Sequence, residues 1–277
     1  MKHLIPGLIR QMPLRIILLA CAGLILVSNQ AWADTAGNEL AQRIYDRPDG
    51  EDASSVVTMI LTEKGRNPRV RKMMLYRLDK KQAEVSTLIR FIEPTDIEGT
   101  GLLTVDGMNA DTNQWIYLPA LERVRRIDSN RKGGRFVNSD YYFEDLRDRK
   151  VSKDQHRIIG HETIAGVTCD VLESIPTEAG NSVYVKRVSW IDPVTLLPLR
   201  IDFFEKQENQ PSKRLIVNKK EKVQGFWTVM DSTLTDLSNG HETRLTLGRM
   251  VYDKHLPARL FTSQVLEDVN AEKEYRP

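Results

Sequence analysis

From residue 54 onward the chain alternates between apolar and polar positions. Residues 54–61 (SSVVTMIL) are β-branched and apolar, and 69–78 return after a polar turn at 64–68. Ala83, Val85, Thr87, Ile89 and Phe91 stand at every second position with polar neighbours between them, the pattern of a half-buried strand. Glu93-Pro94 ends it, and shorter strand-like pieces follow at 99–105, 115–118 and 123–127. Residues 156–163 and 167–174 read as a hairpin about Ala165-Gly166. The series continues through 182–191, 199–204, 214–223, 227–237 and 242–252, separated by turn formers at 207–211, Gln224-Gly225 and 238–240. Helical spacing occurs at 39–46, where Leu40, Ala41 and Ile44 share a face before the Arg47-Pro48-Asp49-Gly50 stop. A short helix or turn is expected at 260–267, and 270–277 reads as a polar tail.

Strands with short turns and no long helices predict an all-β-dominated chain with a minor helical part. About ten strands fit a barrel or strongly curved half-barrel, which limits exposed edges. Residues 182–191 carry apolar side chains on both faces, which fits a covered outer surface or a lined interior. No linker, repeat or low-complexity block divides the chain, so one domain is expected.

The first 33 residues stand apart. Lys2, Arg10 and Arg15 precede the apolar run 16–27, and Ala31-Trp32-Ala33 places small residues at a cleavage site. This is the pattern of a secretory signal peptide, with residues 34–277 as the mature domain. A lipoprotein signal ending at Cys21 is the weaker alternative, because it cuts the apolar core to a few residues. Losing three cations and no acids takes the formal charge from +2 to −1. That removes the simplest support for nucleic-acid binding, which needs a basic surface. Cys169 is then the single cysteine of the mature chain; alternation groups it with Val167 and Val171 as a buried small hydrophobe.

No catalytic or metal-binding motif is present: there is no HExxH, paired CxxC, GxSxG or P-loop. His156 and His161 are five apart on an expected strand, which sends them to opposite faces. His-Glu-Thr occurs at 161–163 and 241–243, and in extended chain neither makes a His–carboxylate pair by itself. Chemistry-bearing residues concentrate instead in 114–146, QWIYLPALERVRRIDSNRKGGRFVNSDYYFEDL. Glu144 and Asp145 fit ion pairs with Arg147, Arg149 or the basic loop better than acid–base catalysis. Tyr141, Tyr142 and Phe143 fit a corner packed under a sheet better than a stacking site. Two cationic clusters, one at residues 64–72 and one at 123–135, fit solvated rims on composition alone.

The string WIYLPALERVRRI followed by SNRKGGRFVNSDYYFEDL resembles the LolA-like family of outer-membrane lipoprotein-sorting proteins. The matching positions are Trp115, 117–121, 125–127, 139–141 and 144–146. Asn138 departs from the pattern, where a glycine is expected before Ser-Asp. The resemblance implies an unclosed antiparallel β-barrel, or strongly curved sheet, with short helices lidding a hydrophobic cavity. It implies a non-enzymatic periplasmic carrier without cofactor, binding a lipid or lipoprotein acyl chain, in transient contact with a membrane. An RND-type inner-membrane transporter is the implied partner. Trp115, Tyr117, Leu118, Tyr141 and Phe143 are the candidates for cavity or lid, and Arg123, Arg125, Arg126 and Arg135 for headgroup or partner docking. The alternative is a docking module with a filled core.

Overall fold

The computed structural model describes residues 29–80, 84–107, 112–178, 180–207 and 209–277. The leader assigned to residues 1–33 lies outside the described residues up to position 28. One helix, α1 (Asn29–Tyr45), opens the described chain; it starts well before the helix expected at 39–46 and takes in the Ala31-Trp32-Ala33 segment.

Thirteen strands follow, against the expected ten or so. They are β1 (Asp52–Thr62), β2 (Arg69–Asp79), β3 (Glu84–Glu93), β4 (Gly101–Gly107), β5 (Asn113–Leu118) and β6 (Arg123–Arg126). After a connection over residues 127–153 come β7 (Asp154–Ile164), β8 (Val167–Pro176), β9 (Lys186–Ile191), β10 (Pro198–Phe204), β11 (Lys213–Val223), β12 (Phe226–Asp236) and β13 (Glu242–Tyr252). All pair antiparallel in one curved, unclosed sheet of order β6-β5-β4-β3-β2-β1-β13-β12-β11-β10-β9-β8-β7. Two meanders are thus joined by the β1–β13 ladder, where Ala53 pairs with Tyr252 and Leu61 with Thr243. The β7–β8 and β11–β12 hairpins turn on Ala165-Gly166 and Gln224-Gly225, all four residues at positive φ. That is the two-residue turn whose twist matches the flanking strands.

The two sheet edges, β6 and β7, are consecutive in sequence. The 127–153 connection therefore has to cross from one edge to the other, and it does so over one face, the inner face. Phe136 is buried there with Val57, Met59, Phe91 and Leu102. Tyr141 packs with Tyr184, Phe203 and Leu234. The helix α1 covers the same face over β7–β9, setting Leu40 and Ala41 against Leu172 and Ile191. A Cβ on Gly37 of α1 would lie 2.3 Å from the His156 carbonyl oxygen, so only glycine lets helix and strand backbones meet there.

On the outer face, residues 256–275 lie across β2–β5 in 3-10 turns. Leu256, Leu260, Phe261 and Leu266 fit among Met74, Tyr76, Leu88 and Leu103. The expected polar tail is thus part of the fold: Glu272 is completely buried, its carboxylate 2.9 Å from Arg90 Nε. The charges that suggested a solvated tail are compensated by an arginine 182 residues away. Over β8–β10 the outer face buries Cys169, Val171, Val188 and Trp190. The Arg200 guanidinium lies 4.0 Å from the centre of the Trp190 ring. The two-faced apolar character of 182–191 is therefore satisfied on both sides of the sheet.

Two further expectations change. Residues 182–185 leave the sheet, and β9 starts only at Lys186, because Ser182 Oγ and the Val183 amide turn inward to bind Glu144. His156 and His161 do not face opposite sides. A bulge between Ile158 and Gly160 shifts the register, so His156 pairs with Ser174 and His161 with Asp170, on the same face.

His156 is buried. Its Nε2–H donates to the Val151 carbonyl at 3.0 Å, and its Nδ1 accepts from Ser174 Oγ at 2.9 Å. Burial holds its pKa below the ordinary histidine value. The unfolded chain therefore takes up a proton on this ring before the folded one does. The stability it supports is complete above about pH 6.5 and is lost as pH falls toward the lower folded value. His156→Asn is expected to flatten the fall of the urea midpoint between pH 7 and 5; an unchanged slope would remove His156 from the acid sensitivity.

Candidate functional site

The connection is held to the inner face by side chains. Along each strand the inner-facing positions are largely apolar, but some carry polar residues, and four of these, Arg71, Gln114, Lys213 and Thr243, reach backbone groups of the connection between Val137 and Phe143. Arg71 Nη1 donates to the Val137 carbonyl at 2.5 Å. Gln114 Nε2 donates to the Phe143 carbonyl at 2.9 Å, and Lys213 Nζ to the Asp140 carbonyl at 2.7 Å. Thr243 Oγ1 accepts from the Asp140 amide at 3.0 Å and donates to its carboxylate at 2.7 Å. Buried peptide groups need partners, and here the sheet supplies them without ladder pairing.

The acidic residues of the motif form the core of this latch. Asp140, fully buried, accepts from Arg135 Nη1 at 2.8 Å and lies 2.6 Å from His241 Nδ1. Arg135 also reaches Asp236. Asp145 accepts the Tyr184 hydroxyl at 2.8 Å and the Tyr142 amide at 2.7 Å. Lys213 Nζ sits 3.8 Å from Asp145 and 2.9 Å above the centre of the Tyr142 ring. Burial pulls the Lys213 ammonium down to about 8 and raises the Asp145 carboxyl. Glu144, also buried, accepts from Ser182 and from the Val183 amide at 2.7 Å, with Arg149 and Arg187 at 3.7 and 3.8 Å.

Val137 and Asn138 take the left-handed backbone conformation, φ +46° and +59°. Asparagine tolerates this region, as the glycine expected there from the resemblance would; a β-branched valine does not, so Val137 is strained. The Arg71 bond to its carbonyl and Phe136 beside it hold the strained turn in place.

The residues singled out from sequence separate. Tyr141 and Phe143 lie on the inner face, the Phe143 ring meeting Phe136 edge-on at 6.0 Å. Leu118 shares the inner-side register of Ile116. Trp115 and Tyr117 face outward under the C-terminal segment, with the Arg90 guanidinium 6.0 Å over the Tyr117 ring. Arg123, Arg125 and Arg126 are exposed on β6, a short charged edge of the kind that resists further strand pairing. Register puts Arg123 and Arg125 on the inner side, opposite Leu118 and Ile116, and Arg126 on the outer side opposite Trp115. Arg135 is committed to Asp140 and Asp236. Sequence reading missed Phe136, Lys213, Tyr184, Thr243 and His241. The available signal was a polar residue at an apolar strand position: Lys213 in phase with Leu215, Thr243 with Leu245, and Gln114 with Ile116.

Two clefts flank the connection. One of about 920 Å³ lies between the end of α1 and the β1–β3 and β12–β13 ends; Tyr45, Asp49, Arg77, Asp148 and Asp253 are among its walls. The other, about 250 Å³, lies beside the connection itself. Among the described residues no group of His, Cys, Asp and Glu is placed to hold a metal ion.

The open antiparallel sheet, with its inner face covered by a helix and a long connection, is a fold shared with solved structures. A LolA superfamily protein from Nitrosomonas europaea superposes with a TM-score of 0.63 at 16% identity, over 84% of this chain and 99% of that one. Two structures are closer in sequence, each aligned over 84% of this chain and 99% of its own. One is a domain assigned as an outer membrane lipoprotein-sorting protein from Vibrio parahaemolyticus (30% identity, TM-score 0.80). The second is a DUF1329 family protein from Desulfovibrio piger (29%, 0.80). A family model described as an uncharacterized protein matches residues 83–268. The chain belongs to this DUF1329 family. No curated protein matches the sequence.

Proposed function

We propose that this protein is a non-enzymatic periplasmic carrier that shelters an acyl chain of a lipid or lipoprotein against the inner face of the sheet. The connection 127–153 acts as a plug that the cargo displaces. The observation that carries this reading is the way the plug is held: it covers the apolar inner face, yet its backbone is fastened by the side chains of Arg71, Gln114, Lys213 and Thr243. Such a segment can leave without breaking the sheet ladders. Apolar cargo would replace the contacts of Phe136, Tyr141 and Phe143, and the driving force is burial of apolar surface. The assignment of the Vibrio relative to lipoprotein sorting supports the same class of cargo.

Tyr141, Phe143 and Leu118 are then the cargo-facing residues. Trp115 and Tyr117 act from the outer face, and Arg123 and Arg125 stand where a headgroup or an RND-type transporter would meet the inner side of the open edge. The packed inner face favours a second reading, a docking module whose plug never leaves.

A photo-crosslinking phenylalanine analogue at position 143, in protein purified from its own cell envelope, separates the two. A carrier gives a lipid adduct at 143 and a co-purified lipid by native mass spectrometry. A docking module gives neither, and instead loses transporter binding on R123E/R125E with no change in lipid content.

A further inference from the structure

We propose that Arg71, Lys213 and Thr243 select the cargo: with the plug displaced they bind acyl carbonyl oxygens, so the inner face takes ester- or amide-linked acyl chains in preference to ether-linked or plain hydrocarbon ones. This selection rests on the carrier reading above and deepens it.

The three residues stand at one end of the inner face. Arg71 is the third residue of β2, Lys213 the first of β11 and Thr243 the second of β13. These strands alternate with β1 and β12 in antiparallel pairing, so all three run in the same direction and begin at the same end of the sheet. Two positions further along, each strand turns apolar on this face. Met73 and Leu75 follow Arg71, Leu215 follows Lys213, and Leu245 and Leu247 follow Thr243. Hydrogen-bonding groups at one end with an apolar surface beyond them match the polarity of an acylated molecule, whose carbonyls lie at one end of its chains. Gln114, the fourth residue holding the plug, stands toward the other end, level with Thr104, Thr87 and Arg77.

Two of the three already grip amide carbonyl oxygens. Arg71 Nη1 donates to that of Val137 and Lys213 Nζ to that of Asp140, while the Thr243 hydroxyl is taken by the Asp140 amide and carboxylate. All of these partners leave with the plug; Lys213 retains the Tyr184 hydroxyl at 3.3 Å. Arg71, Lys213 and Thr243 are 9%, 1% and 0% exposed, so their bonds are made inside the protein and not to bulk water. A buried donor stripped of its acceptor bears its full desolvation cost. Cargo that carries carbonyl oxygens to this end restores the bonds. A hydrocarbon of equal length buries as much apolar surface and leaves the donors unmet. Sites built to hydrogen-bond a ligand reject the analogue lacking that group, whereas a methylene more or less discriminates weakly. The apolar positions therefore hold the chain, and the three donors decide which chain is held.

The test is calorimetric titration of the purified protein with 1,2-dioctanoylphosphatidylglycerol and with its 1,2-dioctyl ether analogue, which keeps headgroup and chain length but lacks both carbonyls. The ester is expected to bind the wild type about tenfold or more tightly than the ether. In R71M, K213M and T243V that ratio is expected to fall toward one, while R71K, which keeps a donor, retains most of it. A residue that only seats the plug would move both affinities together, and thermal unfolding of each variant identifies any that fails to fold. A wild-type preference that survives in all folded variants would take the selection away from these residues. If both lipids bind the wild type equally, the carrier reading stands and the selection is overturned. If neither binds, the inner face admits no acyl chain, and the carrier reading falls together with the selection.

Discussion

Replacing Arg90 with methionine is expected to lower the unfolding free energy by about 3–5 kcal/mol, the cost of breaking a buried ion pair from one side. Arg90 and Glu272 are 1% and 0% exposed. The guanidinium donates to Glu272 Oε1 at 2.9 Å, to the Gly99 and Leu266 carbonyls at 2.8 Å and to the Val265 carbonyl at 3.1 Å. It thereby ties the C-terminal segment to β3 and β4. Removing it strands a carboxylate whose Oε2 already has no hydrogen-bond partner among the described residues, along with three carbonyls. Replacing both residues, as in R90M/E272M, is expected to recover much of the loss, because no uncompensated charge remains. Urea unfolding of the two single variants and the double one measures this directly. A loss under about 1 kcal/mol in R90M would show that the segment behaves as a surface strap, and the interpretation of the C terminus as part of the core would have to be dropped.

Phe136→Ala carries the second large effect, about 3–5 kcal/mol for a large-to-small change in a packed core. The ring is 1% exposed, 5.7 Å from the Phe91 centroid and 6.0 Å from that of Phe143. It is the one fully buried aromatic of the plug and the brace behind the strained turn at Val137. The variant also distinguishes the functional readings. A plug that must leave the inner face to admit cargo leaves more easily without its anchor. F136A is therefore expected to lose stability and yet to carry more co-purified lipid per protein than the wild type. Equal or lower lipid occupancy at a lower unfolding midpoint would mean that the connection is plain core.

Strand alternation and turn chemistry determined most of the architecture from sequence alone. Every strand segment from 54 to 252 is present, because a half-buried strand must alternate and an Ala-Gly or Gln-Gly pair at positive φ can only turn. The motif at 114–146 likewise carried the family. What the linear chain did not contain was which residues oppose one another. Thr243, Lys213 and Gln114 look like ordinary polar strand residues until the order of strands sets them beneath residues 137–143. Glu272 looks solvated until Arg90 is placed against it.

The same holds for function. The sequence joined Trp115, Tyr117 and Phe143 into one aromatic cluster, and the tertiary structure put them on opposite faces, because adjacent strand residues diverge and the connection crosses only one side. It also committed Arg135 to Asp140 and Asp236, and gathered Lys132, Arg147 and Lys153 around a single cleft. Local pattern determines elements, since each depends on nearest neighbours along the chain. A site depends on residues brought together across a hundred positions, and only the register of the whole sheet decides which those are.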